Sequence, residues 1–248
     1  MRALILGTSD AFTTRGFGTS ALIKGPEGYL LIDCPDLIHR AMKEATDAAG
    51  WDVDANDVTD IVLTHLHGDH CNGLESFGFA RLVDRLKGTG RPLPRLHTHP
   101  RAAERVWERL APAMDAPLTR GGEPATLADY FDLHVIQPEE PAEIAGLTVH
   151  CRYSIHPIPT IGLKISNERA TLGWSGDTVF DLDHIDWLSD ADLIVHEANL
   201  GPAHTNIELL NSLPDDVRNK MRVTHVIDDF DEASSDIEPL HEGEVLEF

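Results

Sequence analysis

Apolar positions along this chain fall into short runs, and their spacing alternates between a period of two and a helical period. Residues 2–6 form an apolar run closed by Gly7, and residues 21–24 and 29–33 flank the turn Gly25-Pro26-Glu27-Gly28. Three strands are expected there, the last two as a hairpin. Leu37, Ile38, Ala41, Met42 and Ala45 recur at helical spacing up to Gly50, which predicts a helix over 37–49. Residues 61–63 make a very short strand that runs into a histidine-rich turn, and residues 73–86 have helical character until Lys87-Gly88-Thr89-Gly90. A strand over 95–97 precedes Pro100, a good helix opener, and residues 101–110 mix charged and apolar side chains at helical spacing. Residues 111–129 are irregular and rich in Pro and Gly, as expected of a surface loop or lid. The second half repeats the style, with strands over 131–136, 147–153, 162–165, 170–174 and 191–196, helices over 183–188 and 207–221, and a last strand over 222–227. This order predicts an α/β (α+β) fold of two packed sheets with helices outside.

Composition narrows the picture. With 248 residues, 42 % hydrophobic and 25 % charged, the chain reads as one globular domain over 1–248. Its 42 acidic against 20 basic side chains give a net charge of −22, which repels long nucleic acids and anionic membranes and favours a small-molecule substrate. Three separated cysteines, Cys34, Cys71 and Cys151, form no metal-binding or disulfide pattern and fit a reducing compartment. No apolar run suits a membrane span and the N-terminus does not resemble a secretory signal, so a cytoplasmic protein is expected. A homodimer is compatible with all of this.

Thr64-His65-Leu66-His67-Gly68-Asp69-His70 changes the picture most. Three imidazoles and a carboxylate lie within six residues after an apolar strand, and Gly68 lets the backbone turn. Imidazole nitrogen and carboxylate oxygen are ligands for divalent ions, and His65 and His67, two apart on an extended segment, can share one. Asp69 and His70, beyond the turn, can face a second. This pattern resembles the signature of the metallo-β-lactamase superfamily, and most closely its ribonuclease Z-like branch. The resemblance implies an αβ/βα four-layer sandwich. It also implies later ligands at His156, in His156-Pro157-Ile158, at Asp177, in Ser175-Gly176-Asp177-Thr178, and at His225, in Thr224-His225. One ion would then be held by His65, His67 and His156 and a second by Asp69, His70 and His225, with Asp177 bridging. Zinc is the first expectation, with manganese or iron as alternatives.

Such a resemblance implies a dinuclear hydrolase that uses a metal-activated hydroxide, with Asp69 orienting the nucleophile and taking its proton. His204, in Ala203-His204-Thr205, is similar to the element that serves the leaving group in ribonuclease Z-like enzymes. His196-Glu197-Ala198-Asn199 is similar to their His-Glu-Ala-Thr segment, with Asn in place of Thr; His196 and Glu197 are equally readable as a structural pair. Asp33 resembles a brace for the histidine loop, and Leu6-Gly7-Thr8-Ser9 a phosphodiesterase-like start. His97, His99, Asp183, His184 and His241 read as surface or supporting residues. The basic residues of 81–109 read as a solvated helix face, and the acidic tail as solvated or packed. The expected substrate is a small phosphodiester such as a cyclic nucleotide. The alternatives are a carboxylic ester, thioester or lactone, then tRNA 3′ processing, then an inactive metal-stabilised binding module.

Overall fold

A computed structural model describes residues 1–117 and 121–248. Among the described residues the strands are β1 (Arg2–Gly7), β2 (Ser20–Gly25), β3 (Gly28–Ile32), β4 (Val58–Leu63), β5 (Arg95–Thr98), β6 (Asp132–Val135), β7 (Ala142–Ile144), β8 (Leu147–Tyr153), β9 (Ile161–Ser166), β10 (Thr171–Trp174), β11 (Leu193–Glu197), β12 (Met221–Thr224) and β13 (Val245–Glu247). The helices are α1 (Ile38–Ala49), α2 (Gly68–Cys71), α3 (Gly73–Leu86), α4 (Pro100–Ala103), α5 (Val106–Met114), α6 (Leu182–Leu188), α7 (Ile207–Asn211) and α8 (Asp215–Arg218). The strands form two sheets, ordered β13-β1-β2-β3-β4-β5-β6 and β12-β11-β10-β9-β8-β7.

The period-two pattern explains the layers. In β1, Ala3 and Ile5 face the second sheet while Leu4 and Leu6 face the helices; in β3, Leu30 and Ile32 face inward and Leu31 outward. Leu147, Val149 and Cys151 of β8 and Ile161, Leu163 and Ile165 of β9 meet them from the other sheet. One outer layer packs α1, α3 and α5 on the first sheet, and the other packs α6, α7 and the chain near Leu213 on the second. The result is the expected αβ/βα sandwich. Helix α1 shows why its face is buried: Ile38, Ala41, Met42 and Ala45 lie on one side, and Gly50, at φ 67°, closes it in the left-handed conformation.

The functional consequence lies in strand direction. β3 to β6 run parallel, as do β10 to β12, so the C-terminal ends of β4, β10, β11 and β12 open onto the same edge of the sandwich. The histidine loop, Asp177, Glu197 and His225 all follow or end those strands. The Ile161 N–H donates to the Thr64 carbonyl at 3.2 Å, joining the two sheets beside that edge.

Several expectations need correction. The helix expected over 207–221 is two short helices, α7 and α8, because Pro214 restricts the residue before it and interrupts the run. The last strand ends at Thr224 rather than 227, and β7 and β13 were not foreseen. For the acidic tail, expected to be solvated or packed, packing is what the structure shows: β13 pairs with β1, and Ile237, Leu240 and Leu246 are buried. Arg81 is not part of a solvated face but buried, donating to the Asn56 and Pro92 carbonyls at 2.9 Å each. Within the segment 111–129, α5 continues through Pro112 to Met114, and Ala125 and Leu127 are buried; residues 118–120 of the expected lid lie outside the described residues. No helix among the described residues is long and apolar enough to cross a membrane.

Candidate metal centre

Asp33 organises the histidine loop. It follows β3 at φ 57°, a left-handed conformation uncommon outside glycine, and is fully buried. One carboxylate oxygen accepts from the Thr64 N–H at 2.7 Å; the other accepts from Thr64 Oγ1 and His70 Nδ1, both at 2.8 Å. With Nδ1 engaged, His70 turns its Nε2 into the cluster, where it is buried and lacks a hydrogen-bond partner of good geometry.

The remaining donor atoms converge on two points. His67 Nδ1 lies 3.1 Å from His65 Nε2 and 3.0 Å from His156 Nε2, and Asp177 Oδ2 lies 3.6 and 3.7 Å from the same two nitrogens of His65 and His156. On the other side, Asp69 Oδ2 lies 3.1 Å from His225 Nε2 and 3.5 Å from His70 Nε2. Asp177 reaches this group too, with Oδ1 at 3.3 Å from His70 Nε2 and Oδ2 at 3.6 Å from His225 Nε2. Backbone geometry fixes Asp177 and His225. Gly176, at φ 59°, aims the turn that carries Asp177, and a Cβ on it would meet the Ile161 carbonyl oxygen at 2.4 Å. His225 itself sits at φ 59°.

This donor set fits divalent ions. Ligands ~2.0–2.1 Å from a tetrahedral ion stand roughly 3.3 Å from one another, which is the spacing found here. Three inward-facing ring nitrogens about one point cannot all be satisfied by exchanging protons. Burial and neighbouring histidines hold His65 well below its ordinary pKa, and burial pushes His156 down to about 4, so both are neutral donors. Burial opposes charge on His70 as well, but Asp177 and Asp33 outweigh it and push its pKa up. Burial also disfavours the charged Asp69 and Asp177, yet the surrounding histidines hold both carboxyls well below the usual range. The carboxylates therefore demand positive charge in this site.

Around the cluster stands a polar frame. Glu197, buried at the end of β11, accepts from His204 Nδ1 at 2.9 Å, from the Thr178 N–H at 2.8 Å and from the Thr205 N–H at 3.4 Å. His204 stacks against His225 at 5.2 Å between ring centroids. Burial draws the His204 pKa down, but the Glu197 hydrogen bond and charge more than offset this and raise it. His196 faces away from this set: it is fully buried, donates Nδ1–H to the Glu197 carbonyl at 2.8 Å, and is pushed down to about 4 by burial. His97, His99 and His184, read as surface or supporting residues, are all buried.

A pocket of about 320 Å³ opens on the cluster, lined by Asp10, Ala11, Phe12, His67, Gly68, Asp69, Asp177, Asn199, His204 and His225. A larger groove of about 870 Å³ meets it at His67 and carries His99, Arg101, Arg105 and Arg109. Sequence reasoning overlooked Asp10 and Phe12. Asn199 was noted only as a departure, yet its Nδ2 donates to the His225 carbonyl at 3.0 Å and to Asp10 Oδ2 at 3.2 Å. The one available signal for Asp10 and Phe12 was their position just after the Leu-Gly-Thr turn.

Fold and site together define a metallo-β-lactamase-fold protein. The metallo-β-lactamase-fold protein YhfI from Bacillus subtilis superposes with a TM-score of 0.79 at 16 % identity, over 99 % of this chain and 98 % of that one. Human tRNase Z, short form, gives 0.70 at 16 % identity over 100 % and 99 %. The chain belongs to the anti-Pycsar protein Apyc1 family, whose model matches residues 1–241. It is 30 % identical to the anti-Pycsar protein Apyc1 of Paenibacillus sp. (strain J14), over 99 % of this chain and 98 % of that protein. It is also 28 % identical to the cAMP/cGMP-dependent 3′,5′-cAMP/cGMP phosphodiesterase B of Dictyostelium discoideum, over 73 % of this chain and 17 % of that one.

Proposed function

We propose that this protein is a metal-dependent hydrolase of 3′,5′-cyclic nucleotides. The observation that carries the reading is the convergence of two donor groups on a shared Asp177, in a chain of the Apyc1 family with a cyclic nucleotide phosphodiesterase among its relatives. His65, His67 and His156 would hold one ion and Asp69, His70 and His225 the other, with Asp177 between them; zinc is the first choice, then manganese or iron. Two bound divalent ions supply Lewis acidity toward the phosphoryl oxygens and an acidified water. Asp69 would orient the attacking water and take its proton as the new P–O bond forms. His204, fixed through Nδ1 by Glu197, delivers a proton to the ribose oxygen as the ring P–O bond breaks. The cluster between the sheets draws on both halves of the chain, which supports reading residues 1–248 as one domain.

A substrate panel tests the proposal. Metal-loaded protein is expected to open 3′,5′-cyclic AMP and GMP to the linear monophosphates and to leave lactones and thioesters intact. The reverse pattern would overturn it.

A further inference from the structure

Behind the donor cluster sits a histidine that the proposed chemistry does not use. His184 lies on α6, the helix that packs Ile185 and Leu188 on the outer face of the second sheet, and is only 1 % exposed. Burial lowers its pKa, so the ring is neutral and has one N–H. That proton belongs on Nε2, which donates to the Ser175 carbonyl at 3.0 Å. Nδ1 is then a buried acceptor with no hydrogen-bond partner among the described residues. An apolar side chain of similar shape would avoid that cost, so packing alone gives no reason for an imidazole here.

The surroundings are shaped to admit this one hydrogen bond. A Cβ on Gly162 of β9 would lie 2.6 Å from His184 Cε1, 2.7 Å from Nε2 and 2.7 Å from the Ser175 carbonyl oxygen. The bond therefore occupies a gap that any side chain at position 162 would fill. Trp187 stacks on the ring at 5.6 Å between centroids and limits its movement.

What the bond does follows from the turn it meets, Ser175-Gly176-Asp177. Before the turn, the Ser175 N–H donates to the Val195 carbonyl and Ser175 Oγ accepts from the Glu197 N–H, both at 2.9 Å. After it, the Asp177 carbonyl accepts from Ser154 Oγ at 2.7 Å. Between these anchors lies Gly176, at φ 59°. Glycine takes φ of either sign with little penalty, so sterics do not fix the peptide plane that enters it. The Ser175 carbonyl lies in that plane, and His184 is the one donor it meets among the described residues. We infer that His184 is a positioning residue for Asp177: by holding the Ser175 carbonyl it fixes the peptide entering Gly176, and so sets the shared carboxylate between the two donor groups. The inference rests on the metal-centre reading above.

The test compares wild type, His184→Gln, His184→Met and Leu188→Ala. Gln and Met are close in length and shape, and only Gln carries a donor; Leu188, buried on the same helix, reports the loss of packing alone. Zinc affinity is measured by chelator competition, stability by melting, and kcat and KM on cyclic AMP. His184→Met is expected to bind the more weakly held of two zinc ions about 10-fold less tightly, and to lose kcat about 10-fold with KM within about twofold. His184→Gln should restore zinc affinity and kcat to within about threefold of wild type. Leu188→Ala should melt at a lower temperature than wild type yet bind zinc as wild type does. Nitrogen–proton correlation spectra of the wild type, which need no variant to fold, should show His184 neutral with its proton on Nε2. Unchanged zinc affinity in His184→Met, a His184→Gln as weak as His184→Met, an equal loss in Leu188→Ala, or a His184 proton on Nδ1 would overturn the inference, while two zinc ions bound by wild type still upheld the metal reading. Wild type that binds no zinc would overturn both.

Discussion

Buried Glu197 and half-buried His204 form a hydrogen-bonded pair, with the Glu197 carboxylate 2.9 Å from His204 Nδ1. The bond fixes the imidazole and leaves Nε2 for the substrate, where a general acid is worth ~10²–10⁴-fold. Loss of His204 should therefore depend on the leaving group. His204→Ala is expected to lower kcat about 10²-fold or more on a cyclic nucleotide, whose ribose oxygen needs a proton, and much less on a p-nitrophenyl phosphodiester, whose leaving group does not. Glu197→Gln should fall between wild type and His204→Ala. Equal losses on both substrates would remove the general-acid role.

Asp33 touches no proposed ion, yet it holds His70 Nδ1 and both Thr64 donors. Removing such a partner typically costs 10–100-fold in metal affinity. Asp33→Ala is expected to bind zinc about 10–100-fold more weakly in chelator competition, and to melt at lower temperature because the Thr64 N–H is left buried and unpaired. Unchanged affinity would contradict the bracing role.

Gly176→Ala should damage the site from the backbone. The position requires φ 59°, and the added Cβ would lie 2.4 Å from the Ile161 carbonyl oxygen. The turn must shift, and Asp177 with it. The expected outcome is a loss of stability of more than ~1 kcal/mol, read by denaturant titration, together with reduced metal content.

Acid should destabilise the fold through buried histidines outside the donor cluster. His196 and His99 are pushed down to about 4 by burial, from an ordinary value of 6.5. Their folded-state pKa values are depressed, so this contribution is fully present above pH 6.5 and is lost as pH falls toward 4. The slope is about 1.4 kcal/mol per pH unit for each group. His196→Gln should therefore narrow the gap to wild type between about pH 6.5 and about pH 4 in denaturant melts. A gap independent of pH would contradict this.

The sandwich was legible because its strands are short apolar runs with period-two burial, as Ala3, Leu4, Ile5 and Leu6 show. The loop from His65 to His70 was legible for a different reason: four donors within six residues are a local pattern. His156, Asp177 and His225 each look ordinary in isolation and became candidates through family resemblance. Asp10 and Asn199 carried no such mark, since they meet across 189 positions of sequence. β13 escaped notice because its three residues hold one buried side chain, Leu246, inside an acidic tail. Arg81 misled because its charge suggested solvent while its guanidinium is satisfied by backbone carbonyls.

The central claim is that Asp177 joins two metal sites, and metal analysis of protein purified without added metal tests it most directly. Wild type is expected to carry about two divalent ions per chain. Asp177→Ala should retain about one or none and lose cyclic nucleotide turnover at least ~10²-fold. Wild type that hydrolyses cyclic nucleotides with no divalent ion, or an Asp177→Ala variant that keeps both ions and full turnover, would contradict the account.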